Sequence, residues 1–294
     1  MISVSYTHLD VYKRQLQDVF PDSLVGAGIT KENSMIYKIG RVIEDFTYKN
    51  ADRIIVISND IRDNIIRKGV SEEKIIVVPN WIDADCVHPI MKEDNYLYNK
   101  YGIHRDCFNV VYAGNLGYAQ NIVVIIKAAK LLIDKEDIQF IVFGKGAQEE
   151  EYKRIANSLT NIHFFPMQPY SEVSYVYSLG DASIVSCKKG FGGSAMPSKT
   201  WSIMAAGTPV LASFDNGTEM ERIIKEEKTG LFSNADDHEE LAANILKLYS
   251  DSILKEKCGR NARRYVANHL NRTVCTRMYI NTIMETMKCQ KLVL

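Results

Sequence analysis

The stretch that most constrains this chain is SCKKGFGGSAMPSKTWSIMAAGTPVLASFD, residues 186–215. An apolar run, DASIVSC, leads into a loop with three glycines in four positions, Gly190, Gly192 and Gly193. KTWSIMAA then has helix-forming composition, Gly207 closes it, and PVLASF is again an apolar run of strand length. The order is strand, Gly-rich loop, helix, strand. Two strands joined through a helix pair in parallel, so a layered α/β sheet is the fold class to expect.

Glycine has no Cβ, so the N–H groups of such a loop can come close to a ligand, and the next helix turns its positive end the same way. An anion is the guest this favours, and phosphate is the usual one. Pro197 suits a first helical turn, where its missing N–H is not needed. Ser198 and Lys199 then bring a hydroxyl and a cation to that end. The plain alternative is a tight turn with a solvated lysine.

The same grammar recurs. RIIVIS predicts a strand, NDIRDNIIRKG a helix stopped by Gly69, and KIIVVPN another strand. FNVVYAG runs into a G-x-x-G loop of Gly114, Asn115, Leu116 and Gly117 before the helical QNIVVIIKAAKLLID. IQFIVFGKGAQEEEYKRIA repeats it with Gly144 and Gly146, and NIHFFP adds a strand in which His163 is expected to pack. Together they predict a doubly wound parallel sheet, and 294 residues leave room for two domains. Met35, Ile36, Ile39, Val42, Ile43 and Phe46 fall at helical spacing and predict an amphipathic helix packed on a sheet. Asp237 to Glu240 resembles a capping box at the start of a further helix.

Charge excludes one class of partner. Lys+Arg and Asp+Glu are both 36, so no basic surplus points to nucleic acid. Six cysteines without a C-x-x-C pair argue against zinc or a disulfide framework and fit reduced thiols in a cytoplasm. No apolar stretch reaches the roughly 18 residues that cross a bilayer.

PSKTWSIMAAGTPVLAS resembles the donor-binding segment of family 4 glycosyltransferases with the GT-B fold, and QDVFPD and PNWID resemble two turns of their first domain. More narrowly, it resembles the bacterial surface-polysaccharide branch, including transferases of N-acetylated amino sugars such as N-acetylfucosamine. The resemblance implies an acceptor-side domain at 16–100, a nucleotide-sugar domain at 101–270, and a terminal helix at 271–294 that can cross back to the first domain. It implies a nucleoside diphosphate sugar donor, UDP-linked, a lipid-linked or saccharide acceptor, no further cofactor and no metal. Peripheral contact with the inner face of the plasma membrane is a further implication. Two such domains need about 350–400 residues at ordinary domain sizes, so the first is expected to be incomplete. Residues 1–15, MISVSYTHLDVYKRQ, resemble translated adapter sequence and are set aside.

The resemblance also distributes roles. The family's two glutamates fall at Ser194 and Ser202, so serine hydroxyls and the amides of Gly192 and Gly193 are expected to take the donor sugar. Its diphosphate-binding cations fall near Asn115 and Gln120, which leaves Lys199 to neutralise the diphosphate beside Gly114, Asn115 and Gly117. Gly144 and Gly146 border the nucleotide, Met167 sits in a loop that brackets the base, and Glu219 binds sugar hydroxyls. Glu219 is equally explained as an acid in a first helical turn. Asp18 lies where family members place a histidine and is expected to accept a proton or bind acceptor hydroxyls, with Asp22 on the same side. Both also read as turn or capping aspartates. A GT-B nucleotide-sugar 2-epimerase and a nucleotide-binding fragment without transfer remain alternatives.

Overall fold

The structure is a computed structural model that describes residues 13–26 and 28–291. The chain divides into two units, 13–80 with 273–291, and 81–272.

The first unit contains β1 (Lys13–Leu16), α1 (Asp22–Gly26), α2 (Met35–Asn50), β2 (Arg53–Val56), α3 (Asn59–Arg67) and β3 (Ile75–Val77). The three strands are parallel in the order β1-β2-β3. Three residues of the segment set aside as foreign, Lys13 to Gln15, therefore belong to the sheet, Lys13 opposite Arg53 and Gln15 opposite Ile55. His8 and the rest of that segment lie outside the described residues. Ser58 caps α3 by accepting the Ile61 N–H at 3.2 Å.

The α2 helix reverses its sequence-based expectation. It buries Gly40, Glu44 and Tyr48, four residues apart, while Met35, Ile36, Ile39, Val42, Ile43 and Phe46 are 54–73% exposed. The polar edge wins because it is bonded. Glu44 accepts from Arg41, from Tyr48 Oη at 2.6 Å and from Lys68 Nζ at 3.1 Å, and Lys68 also pairs with Asp22 at 2.8 Å. A buried carboxylate is tolerable only with such partners.

The second unit begins with α4 (Leu97–Tyr101) and β4 (Phe108–Asn115). It continues through α5 (Ile122–Leu131), β5 (Ile138–Lys145), α6 (Glu149–Ala156), β6 (Ile162–Pro166), α7 (Val173–Ser178), β7 (Ala182–Ser186) and α8 (Lys199–Ala205). It closes with β8 (Val210–Phe214), α9 (Glu219–Glu226), β9 (Gly230–Asn234), α10 (His238–Ser250) and α11 (Ser252–His269). The six strands are parallel in the order β6-β5-β4-β7-β8-β9. Every residue of β7 and β8 is buried, as a sheet covered on both faces requires. Ile125, Phe140, Ile184 and Leu241 are among the core residues on one side of it. The terminal helix, α12 (Arg272–Lys291), belongs to the first unit, where Tyr279 Oη accepts from Gln15 Nε2 at 2.5 Å. Strand β9 and helix α7 had no clear sequence signal.

The units meet in sequence at Asn80 and Trp81 rather than near residue 100. The polar segment after Trp81 is bound into the second unit by side-chain-to-backbone bonds. Asn95 Nδ2 donates to Tyr175 O at 2.8 Å and Tyr98 Oη to Leu179 O at 3.0 Å. Arg263 of α11 gives its guanidinium to Ala84 O, Val87 O and Ala205 O, each at 2.6 Å. Arg263→Met keeps most of the stem but strands three carbonyls, so a loss of about 2–3 kcal/mol is expected. That should lower the melting temperature by about 5–10 °C in calorimetry. An unchanged melt would mean water replaces the guanidinium.

Candidate functional site

Strand order reverses between β4 and β7, where successive connections run to opposite sides, and ligands of such sheets sit outside the carboxyl ends of the strands at that point. A cavity of about 260 Å³ lies there. Ala113 and Gly114 reach it from β4, Phe143 from β5, Met167 to Tyr170 from the loop after β6, and Val173, Val176 and Tyr177 from α7. Ser198, Lys199 and Ser202 complete it from the start of α8. Its wall therefore combines aromatic and apolar side chains with a cation and two hydroxyls.

Lys199 supplies the cation of that wall. Its Nζ is closed off from solvent, has no hydrogen-bond partner, and stands 3.8 Å from the centre of the Tyr112 ring. A Cβ on residue 114 would be 3.0 Å from that Nζ, so glycine there keeps the backbone beside the ammonium. Burial drives the Lys199 pKa down from 10.5 to about 7, and the nearby Cys187 opposes the shift only weakly. Cys187 cannot pair with it as a thiolate, because burial pushes its own pKa up to about 12. Burial likewise holds the Tyr112 and Tyr177 phenols protonated. A buried unpaired ammonium is a cost to the fold and an invitation to an anion. Helix α8 has only seven residues, so the side chain rather than a long helix dipole supplies the positive charge.

The structure brings five of the expected donor residues to the cavity wall, Gly114, Met167, Ser198, Lys199 and Ser202. The others stand elsewhere. Gly144 and Gly146 support the β4 loop from behind, since a Cβ on either would lie 2.5–2.8 Å from atoms of Gly114, Asn115 and Leu116. Tyr112 Oη donates to Asn115 O at 2.7 Å and Tyr152 Oη to Gly117 O at 2.9 Å, which fixes the same loop. Gly192, Gly193 and Ser194 are outside the cavity wall, and the Gly190 and Gly192 amides donate to Asp215. Glu219 opens α9, half-buried. Asp18 is exposed, two residues past the carboxyl end of β1. Asp22 is tied to Lys68, to Tyr37 Oη at 3.0 Å and to Asn64 Nδ2 at 3.3 Å, a structural set of bonds.

Sequence reasoning passed over Phe143, Tyr170, Val173, Val176 and Tyr177. Phe143 is in a strand that looks wholly structural, and the α7 residues read as ordinary packing. Helical spacing of Tyr170, Val173 and Tyr177 was the one available signal.

A sheet of parallel strands whose order reverses at β4 and β7, with helices on both faces, defines the doubly wound class of α/β protein. Within it the chain belongs to the family described as glycosyl transferases group 1, which matches residues 98–265, and residues 26–85 match Glycosyltransferase Family 4. It is 31% identical over 218 residues to the probable glycosyltransferase WbjE of Pseudomonas aeruginosa, covering 73% of this chain and 54% of that protein. It is 26% identical over 274 residues to the putative colanic acid biosynthesis glycosyl transferase WcaI of Escherichia coli strain K12, covering 91% and 66%. The chain thus spans 54% and 66% of the length of these two curated relatives. The crystal structure of HepE from Anabaena in complex with UDP-glucose superimposes with a TM-score of 0.78 at 15% identity, over 93% of this chain and 72% of that one. The fold is GT-B, with parallel sheets in two Rossmann-like domains. Among the described residues no helix is long and apolar enough to cross a membrane.

Proposed function

We propose that this chain binds a nucleoside diphosphate sugar, UDP-linked, and serves its transfer to a lipid-linked or saccharide acceptor in bacterial surface polysaccharide synthesis. The observation that carries the proposal is the buried Lys199 amine, without a hydrogen-bond partner, on a side chain that lines a cavity with aromatic walls. A flat base suits the slot of Phe143, Met167 and Tyr170, and the diphosphate then reaches Gly114 and Lys199. Ser198 and Ser202 offer hydroxyls to the sugar, which is of the N-acetylated amino type in this reading. In transfer, an acceptor oxygen bonds to the sugar's anomeric carbon as that carbon's bond to the diphosphate oxygen breaks. Negative charge grows on the departing diphosphate, and Lys199 meets it without a bound metal. The acceptor's proton needs a base, and the family resemblance alone offers Asp18 of the first unit for that role or for binding acceptor hydroxyls. The name of WcaI, a colanic acid biosynthesis glycosyl transferase, supports the pathway, the name of WbjE supports the activity, and the UDP-glucose complex of HepE supports the donor class.

Calorimetric titration with UDP and GDP tests this. UDP is expected to bind with a Kd within the range of about 1 μM–1 mM usual for substrates, and GDP more weakly. Folded protein that takes up no nucleotide would remove the proposal.

A further inference from the structure

Asp215 is the first residue beyond β8, and its carboxylate is already occupied. Gly190 N–H donates to both oxygens, at 3.0 and 2.8 Å, and Gly192 N–H to one of them at 2.8 Å. Bonds from amides to an ionised acceptor are among the stronger hydrogen bonds. Parallel strands place the loops after β7 and β8 at the same end of the sheet, so this contact joins neighbours. The approach is close: a Cβ on residue 192 would stand 3.0 Å from Asp215 Cβ and from Phe214 Cδ1. Thr218 Oγ1 holds the Asp215 carbonyl at 2.7 Å. The loop is fastened at its start as well, where Cys187 N–H donates to Ser213 O at 2.9 Å and Lys188 N–H to Ala119 O at 2.8 Å. A few residues further on it delivers Ser198 and Lys199 to the cavity.

We infer that Asp215 is a positioning residue for the donor site, an internal anion that latches the 190–194 loop and so fixes where Ser198 and Lys199 enter the cavity. This rests on the donor-site reading above. Two loop amides that the sequence offers to a phosphate are spent on this carboxylate, so the loop aims the lysine and does not itself cradle the ligand.

The test compares wild type, Asp215→Ala and Asp215→Asn by hydrogen exchange over residues 187–198 and by calorimetric titration with UDP. Asp215→Ala should speed exchange of the Gly190 and Gly192 amides at least tenfold and weaken UDP about tenfold. Asp215→Asn, which keeps one acceptor oxygen, should fall between the two in both readouts. Faster exchange with UDP affinity within twofold of wild type would reduce Asp215 to a loop staple and overturn the inference. Lost affinity with unchanged exchange would make it a ligand contact and overturn it too. Wild-type protein that binds no nucleotide removes the donor-site reading and the positioning role with it, while the exchange data still decide whether the latch exists.

Discussion

Lys199→Met is expected to make the protein more stable and to cost it its ligand. The ammonium has no hydrogen-bond partner, and burial takes its pKa from 10.5 to about 7. The direction with pH follows from proton counts. Below about pH 7 both the native and the unfolded chain carry the proton, and the native state bears the whole penalty. Between about pH 7 and 10.5 the unfolded lysine keeps its proton while the native one has lost it, so stability rises with pH across that window. At about 1.4 kcal/mol per pH unit the penalty is of the order of a few kcal/mol, and a methionine of similar length recovers about 1–3 kcal/mol of it. Thermal melts at pH 7 should shift upward by about 3–10 °C, and the rise in stability above pH 7 should flatten.

Binding should move the other way. A charge-assisted contact contributes about 1.5–3 kcal/mol, so UDP affinity is expected to fall by about 10- to 100-fold in the variant. In the wild type, a nucleoside diphosphate sugar, whose diphosphate does not titrate near neutrality, should bind more weakly as pH rises above 7. A variant that is less stable, yet binds UDP as the wild type does, would show that Lys199 is a packing residue. Higher stability together with lost affinity is the signature of a group kept for function.

The second large effect reverses a rule of helix propensity. Gly259 lies inside α11, where alanine is ordinarily better than glycine by about 1 kcal/mol. Here a Cβ would stand 2.3 Å from Gly207 O, a backbone atom at the end of α8 that has no rotamer to change. Gly207 is itself fixed, with φ of +71°, a conformation in which glycine is strongly favoured. Gly259→Ala must therefore push α11 away from α8. A cost of about 2–4 kcal/mol is expected, read as a melting temperature lower by about 5–15 °C. Because α8 also carries Lys199, UDP affinity should fall as well. Gly193→Ala is the control, since a Cβ there meets nothing within 4 Å. A stabilised Gly259→Ala protein would show that the two helices are not in contact as described.

Strands β4 to β8 of the second unit were legible because each is a short apolar run with glycine or proline within or near it, and such runs are local facts. Gly114, Met167, Ser198, Lys199 and Ser202 were legible as a set because all lie in loops after strands, or just beyond, and parallel strands bring those loops to one end. The aromatic half of the cavity was not, since Phe143, Val176 and Tyr177 are chemically like any buried residue. Their exposure to a cavity depends on what the rest of the sheet leaves open.

The amino-acid sequence by itself determined most of the alternation of strands and helices, the glycines that join them, and the presence of a cation just after a Gly-rich loop. Tertiary structure alone decided the rest. It set which edge of α2 is buried, because Lys68 and Tyr48 bond Glu44 there while the apolar stripe finds no cover among the described residues. It turned the Gly190 and Gly192 amides toward Asp215, 25 and 23 residues away in the chain. It also left the Lys199 amine without a hydrogen-bond partner. Apart from the Tyr48–Glu44 bond within α2, these outcomes turn on residues far apart in sequence, and neither propensity nor periodicity carries information about what only folding brings together.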